Sequence, residues 1–190
     1  MLEKEIKLQL WSMRILRMKV FKPYYQKENE KMDVFESQYD LVQRTRESLF
    51  RYCETMSPTD YVKELESLGG VSIRSLHAHV ADCYRVWLGS RALGKSLPKV
   101  KPESVDNVQE MREVFKKTDA LVLEFLNEFK NKWDPTIQAS WQSDSVELTE
   151  LWLFTHTITH EFHHRGQIVK MGRQLGYIPP KMNLVKPSLI

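Results

Sequence analysis

Apolar and polar positions repeat along residues 33–175 with the period of a helix. From Asp33 to Glu54, the residues Phe35, Tyr39, Val42, Leu49 and Tyr52 fall near one face, which predicts a first long helix. Ser57-Pro58-Thr59-Asp60 breaks that pattern and opens a short turn, and Gly69-Gly70 is a stop. Ser72 is placed to cap a second long helix running to about Arg91. Gly94 ends it, and Pro98 and Pro102 keep the following linker extended. A third helix is expected from about Glu103 to Asn131, where Val108, Met111, Phe115, Val122 and Phe125 recur at helical spacing. Trp133-Asp134-Pro135 terminates it. Residues 136–146 scatter Thr136, Ile137, Trp141 and Val146 among polar neighbours and read as loop or weak hairpin. The last helix is expected from about Glu147 to Leu175, stopped by Gly176 and Pro179-Pro180.

Four long amphipathic segments with short to moderate connections predict an all-α protein, an up-and-down four-helix bundle over residues 32–182. Residues 183–190 form a tail. Residues 1–31 stand apart: Leu2, Ile6, Leu10, Met13, Leu16 and Val20 make an apolar stripe flanked by basic side chains. They are expected to form a helical extension that packs on the bundle, the alternative being a helix lying on a membrane surface. Glu3 and Glu5 dilute its basic face and favour the former.

The 190 residues fit one domain, and 42% apolar residues suffice for a core. The pI of about 8.8 suggests a nucleic-acid binder until the charges are located. Residues 1–31 hold eight Lys/Arg against four Asp/Glu, whereas the rest hold 20 against 21. A neutral main body offers no electrostatic footprint for a phosphate backbone, so no specific nucleic-acid partner is expected. Two cysteines, Cys53 and Cys83, make neither a CxxC site nor a disulfide framework. With no apolar run suited to a secretory signal or membrane span, the expected compartment is the cytoplasm.

All six histidines fall in two clusters, His77 and His79 early in the second long helix and His156, His160, His163 and His164 in the last. Residues four apart on a helix point nearly the same way, so His156, His160 and His164 share one stripe, and an i, i+4 imidazole pair is a chelating arrangement for a divalent metal. A facing helix can add a third imidazole, from His77 or His79. Both lie at the edges of the apolar stripe of Ile73, Leu76, Val80, Cys83, Val86 and Trp87, so periodicity does not choose between them. Three histidines leave a coordination position open, as catalytic sites do. His160-Glu161-Phe162-His163-His164 also matches the H-E-x-x-H of zinc proteases. Those take a third ligand downstream, and residues 165–190 contain no His, Asp, Glu or Cys, so that site cannot be completed here.

The run from His156 through His160, His164, Arg165, Gly166 and Gln167 to Gly176, Tyr177 and Pro180 resembles the C-terminal signature of the DinB/YfiT-like metalloproteins, a family distinct from the DNA polymerase that shares the name. The segment Ser72–Trp87 is similar to that family's first ligand segment. The resemblance implies a four-helix bundle and a zinc or nickel site, and by matching positions it selects His79, His160 and His164 over His77, His156 and His163. It implies a homodimer and a metal-dependent thiol S-transferase or hydrolase acting on a small molecule, possible thiols being bacillithiol or mycothiol. The alternative is a non-catalytic metal-binding protein of stress or DNA-damage response. Glu161, next to a ligand, is the candidate catalytic base, weighed against an ion pair with an arginine. Asp82 is a candidate acceptor for an imidazole N–H. Arg165 and Gln167 are expected to fix the helix, Gly166 to allow close helix approach, and Cys83 to lie in the core.

Overall fold

In a computed structural model, the description covers residues 33–130, 132, 136–141 and 144–181, all in one of the two units into which the chain divides after Met32. The expected extension at 1–31 and the tail at 183–190 lie outside the described residues, as does the Trp133-Asp134-Pro135 stop. Among the described residues the protein is mostly helical, with one two-stranded sheet.

Each helix starts where a short polar side chain can satisfy its free N–H groups. Helix α1, Val34–Cys53, is capped by Asp33, which accepts from the Phe35 N–H at 2.9 Å. Ser57 caps the five-residue helix α2, Pro58–Val62, with proline at its first position. Gly69 and Gly70 take φ of 82° and 72°, turning the chain so that Leu65 pairs with Val71. Helix α3, Ile73–Tyr84, follows a reciprocal capping box between Ser72 and Ser75. It continues as a wider π-helical segment, Arg85–Ala92, so the helix expected to reach Arg91 does so with its last part widened.

Helix α4, Val108–Glu128, begins later than Glu103 because Asn107 is its cap, accepting from the Glu110 N–H at 2.9 Å; Pro102–Ser104 form a separate 3-10 turn. The ambiguous stretch is a hairpin: β1, Thr136–Trp141, pairs antiparallel with β2, Asp144–Thr149, in the register Thr136 opposite Thr149. Strand β2 therefore takes Glu147–Thr149 from the expected last helix, and α5 runs Glu150–Gln174 with Thr149 as its cap.

Helices α1 and α3 each pack against both α4 and α5. Tyr39, Tyr61, Tyr84, Phe125 and Phe154 are among the fully buried side chains between them. Gly172 lets α1 approach α5. A Cβ there would stand 2.2 Å from the Tyr52 hydroxyl oxygen and 2.8 Å from Met56 Cε. Tyr52 Oη donates to the Tyr177 carbonyl at 3.0 Å, and Tyr177 Oη donates to Asp60 Oδ2 at 2.7 Å, fastening the end of α5 to α1 and α2. Gly166 does not have the close-approach role expected of it: a Cβ there meets nothing within 4 Å among the described residues.

Candidate metal centre

Helices α3 and α5 run antiparallel along their shared face, since His79 meets His160 and His164 while Trp87, two turns on, meets Trp152 and His156. The ring centroids of His79 lie 4.9 Å from His160 and 4.7 Å from His164. One nitrogen from each of the three lies within 4.8 Å of the other two. His160 Nε2 and His164 Nε2 are 3.2 Å apart. Two imidazoles on one tetrahedral zinc, with Zn–N of about 2.0–2.1 Å, stand about 3.3 Å apart, so this pair already has the spacing of ligands to one ion. His79 is exposed.

Gln167 decides which nitrogen of His164 carries a proton. Its Oε1 lies 2.6 Å from His164 Nδ1, and an amide oxygen only accepts, so Nδ1 bears the hydrogen and Nε2 presents its lone pair toward His160. The amide nitrogen of the same side chain lies 3.2 Å from His163 Nε2, so it donates to His163, whose ring stands edge-on to His164 at 5.0 Å. Burial first, and then the neighbouring histidines, hold His160 down to about 4. Burial also lowers His164, opposed by its bond to Gln167. Both rings are thus neutral near pH 7, the state that ligates. Three neutral imidazoles suit zinc, nickel, copper or iron better than magnesium or calcium.

The remaining histidines stay outside the triad. His77 is buried, tilted 5.2 Å from the Phe50 ring, with Nδ1 3.3 Å from the Tyr61 hydroxyl. Burial pushes its pKa down to about 3. His156 stacks on Trp152 at 4.8 Å with 5° between the rings and lies edge-on to Trp87 at 4.8 Å. Its ring is 5.8 Å from that of His160, so this aromatic wall adjoins the triad. Arg91 covers Trp87 at 3.8 Å.

Glu161 sits in the core with both oxygens engaged. Arg46 Nε donates to Oε1 at 2.8 Å, Arg46 Nη2 to Oε2 at 2.9 Å, and Tyr84 Oη to Oε2 at 2.8 Å. This is the ion pair of the two alternatives weighed for it. Arg46 Nη1 also donates to Asp119 Oδ1 at 2.6 Å, where Tyr39 Oη donates too. Burial first, then the Glu161 charge, pushes the Tyr84 phenol well above its ordinary range and keeps it a donor. Arg46 escaped the sequence reading, although a lone arginine among Tyr39, Val42, Leu49, Phe50 and Cys53 on one helical face is a signal for a buried carboxylate partner. Asp82 accepts from Arg85 Nε at 2.5 Å and from the Val100 N–H at 3.3 Å, and among the described residues it bonds no imidazole. Cys83 is buried, as expected, and burial first pushes its thiol up to about 12.

No helix among the described residues is long and apolar enough to cross a membrane. No curated protein matches the chain. A crystal structure of a DinB-like protein from Bacillus cereus ATCC 10987 superposes with a TM-score of 0.59 at 18% identity, over 77% of this chain and 93% of that one, a likeness of fold. The family model described as the DinB family matches residues 26–188, which takes in all of the described helices, the hairpin and the three clustered histidines. The chain belongs to the DinB family.

Proposed function

We propose that the chain binds one divalent transition ion, zinc or nickel, through His79, His160 and His164, and works as a metal-dependent thiol S-transferase or hydrolase on a small molecule. The observation that carries this is the 3.2 Å spacing of His160 Nε2 and His164 Nε2, with His79 in reach and the His164 tautomer set by Gln167. An ion held by three neutral ligands keeps its double positive charge and lowers the pKa of a water or thiol enough to supply a nucleophile near neutral pH. The chain's own contribution is to bring three imidazoles together, with His160 and His164 held neutral by burial and His164 oriented by Gln167. The wall of Trp87, Trp152 and His156 supports a small substrate beside them. Glu161 acts as a positioning residue that fixes the first turn of the ligand pair against α1. The bundle is read as up-and-down over residues 32–182, with the 1–31 extension outside it, and the working form as a cytoplasmic homodimer.

A second reading has an observation of its own. With Glu161 committed to Arg46 and Tyr84, no carboxylate among the described residues joins the histidine cluster, which suits a non-catalytic protein in which the metal staples α3 to α5. The two separate in one experiment. Purified protein is analysed for metal, then offered low-molecular-weight thiols with an electrophile and a panel of esters and amides, with and without chelator. Chelator-sensitive turnover supports the enzyme. Stoichiometric metal and a large metal-dependent rise in Tm without turnover supports the staple. Absence of stoichiometric metal overturns both.

A further inference from the structure

Away from the histidines, the linker that follows the π segment lines, together with α3 and α4, a half-open cavity of about 460 Å³. That volume is in the range of small-molecule sites. Its floor is apolar, built from Ala81 of α3, Leu97 and Val100 of the linker, and Val114 and Leu121 of α4. Its other lining residues include five cations, Arg85, Lys95, Lys99, Lys101 and Lys117, and one acid, Glu124. Residues 32–190 hold 20 basic and 21 acidic side chains, so this convergence is a local separation of charge on a neutral body.

Two of the cations are used by the protein itself. Arg85 donates to Asp82 Oδ1 and, at 2.9 Å, to the Leu97 carbonyl, which pins the linker to α3. Lys95 pairs with Glu124 at 2.5 Å, bridging the linker to α4. These two ties hold the cavity open and oriented. Lys99, Lys101 and Lys117 have no anionic partner among the described residues. An apolar floor under three uncommitted ammonium groups matches a ligand with an aliphatic body and one anionic head.

We propose that this cavity is a binding site for a small anionic amphiphile, a carboxylate or phosphate monoester on an aliphatic chain, separate from the histidine cluster on the α3–α5 face. The apolar floor takes the chain, and Lys99, Lys101 and Lys117 take the head.

Calorimetric titration of the full-length, metal-loaded protein with decanoate and with decyl phosphate tests this, below the micellar concentration of each. Saturable 1:1 binding is expected for at least one, and comparing them identifies the preferred head group. Decanol and decyltrimethylammonium are expected to bind at least tenfold more weakly, and raising the ionic strength is expected to weaken the anions. The triple variant Lys99→Ala/Lys101→Ala/Lys117→Ala is expected to lose at least tenfold in affinity. Ala120→Trp, at an exposed lining position, is expected to fill the cavity and remove binding from a folded protein. Failure of both anions to bind, equal binding of decanol or decyltrimethylammonium, or undiminished binding to the triple variant overturns the proposal. So does undiminished binding to a folded Ala120→Trp protein. Metal content, measured on the same samples, is expected to be unchanged by these substitutions, so a failure here is distinct from a failure of the histidine site.

Discussion

A histidine is a ligand or not according to what its second nitrogen and its surroundings do. Gln167 gives His164 a fixed tautomer, so Gln167→Ala is expected to weaken metal binding by about 10–100-fold while leaving the fold intact, measured by competition with a chromophoric chelator. Single His→Ala changes at 79, 160 and 164 should each remove most of the metal, and His77→Ala and His163→Ala should not; full occupancy in the His79→Ala protein would sink the assignment. His77 has another role. Its folded pKa is lowered to about 3 against an ordinary 6.5, so between these values the unfolded chain binds a proton that the folded one does not. Stability therefore falls as pH falls through that window, by about 1.4 kcal/mol per pH unit and roughly 5 kcal/mol at most. His77→Phe should flatten the acid limb of urea-unfolding midpoints against pH; an unchanged limb would show that His77 is not buried neutral. At this scale the sequence was only partly legible. The i, i+4 pair is visible in spacing, but His77 and His79 lie on opposite edges of one apolar stripe, and only packing against Phe50 and Tyr61 on one side and against α5 on the other separates them. Glu161 was undecidable without Arg46, 115 residues away in sequence.

Helices announce themselves by period, and their ends by caps, so the four long helices were legible and the errors fall where caps compete. Asn107 wins over Glu103, and Thr149 wins over Glu147 because the hairpin occupies the residues before it. The π widening of Arg85–Ala92 has no sequence pattern of its own, since it changes the turn without changing which residues are apolar. Two glycines of α5 make the point quantitatively. Gly166 faces open space among the described residues, so Gly166→Ala should stabilise by about 0.5–1 kcal/mol through helix propensity. Gly172 meets the rigid ring of Tyr52, so Gly172→Ala should destabilise by about 1–3 kcal/mol despite the same propensity gain. Opposite signs in thermal or urea unfolding check both; two changes of the same sign would contradict the packing described.

Across the whole molecule, the element joining the helices is a buried charge cluster, Arg46 from α1, Tyr84 from α3, Asp119 from α4 and Glu161 from α5. Removing one partner strands a buried charge, so Arg46→Met is expected to cost about 3–5 kcal/mol. Adding Glu161→Met should restore a large part of that loss, as seen in urea unfolding; strictly additive losses would show that the pair is not coupled. No such cluster can be read from one sequence, because its members share no local pattern and meet only when all four helices are in place. This has a consequence for synthesis on the ribosome. Arg46 emerges before both of its carboxylate partners: Asp119 follows 73 residues later and Glu161 115 residues later, with the Tyr177 latch on α2 last of all. A growing chain therefore carries an arginine in the apolar face of α1 that is unmatched until α4 is made and only half-matched until α5 follows. Stalled chains ending before residue 161 are expected to be cut readily by protease, and chains with Tyr177 clear of the exit tunnel to resist. For a cell, that makes the last helix the quality-control point of this protein: a truncation that spares every residue up to 150 still yields a chain to be degraded.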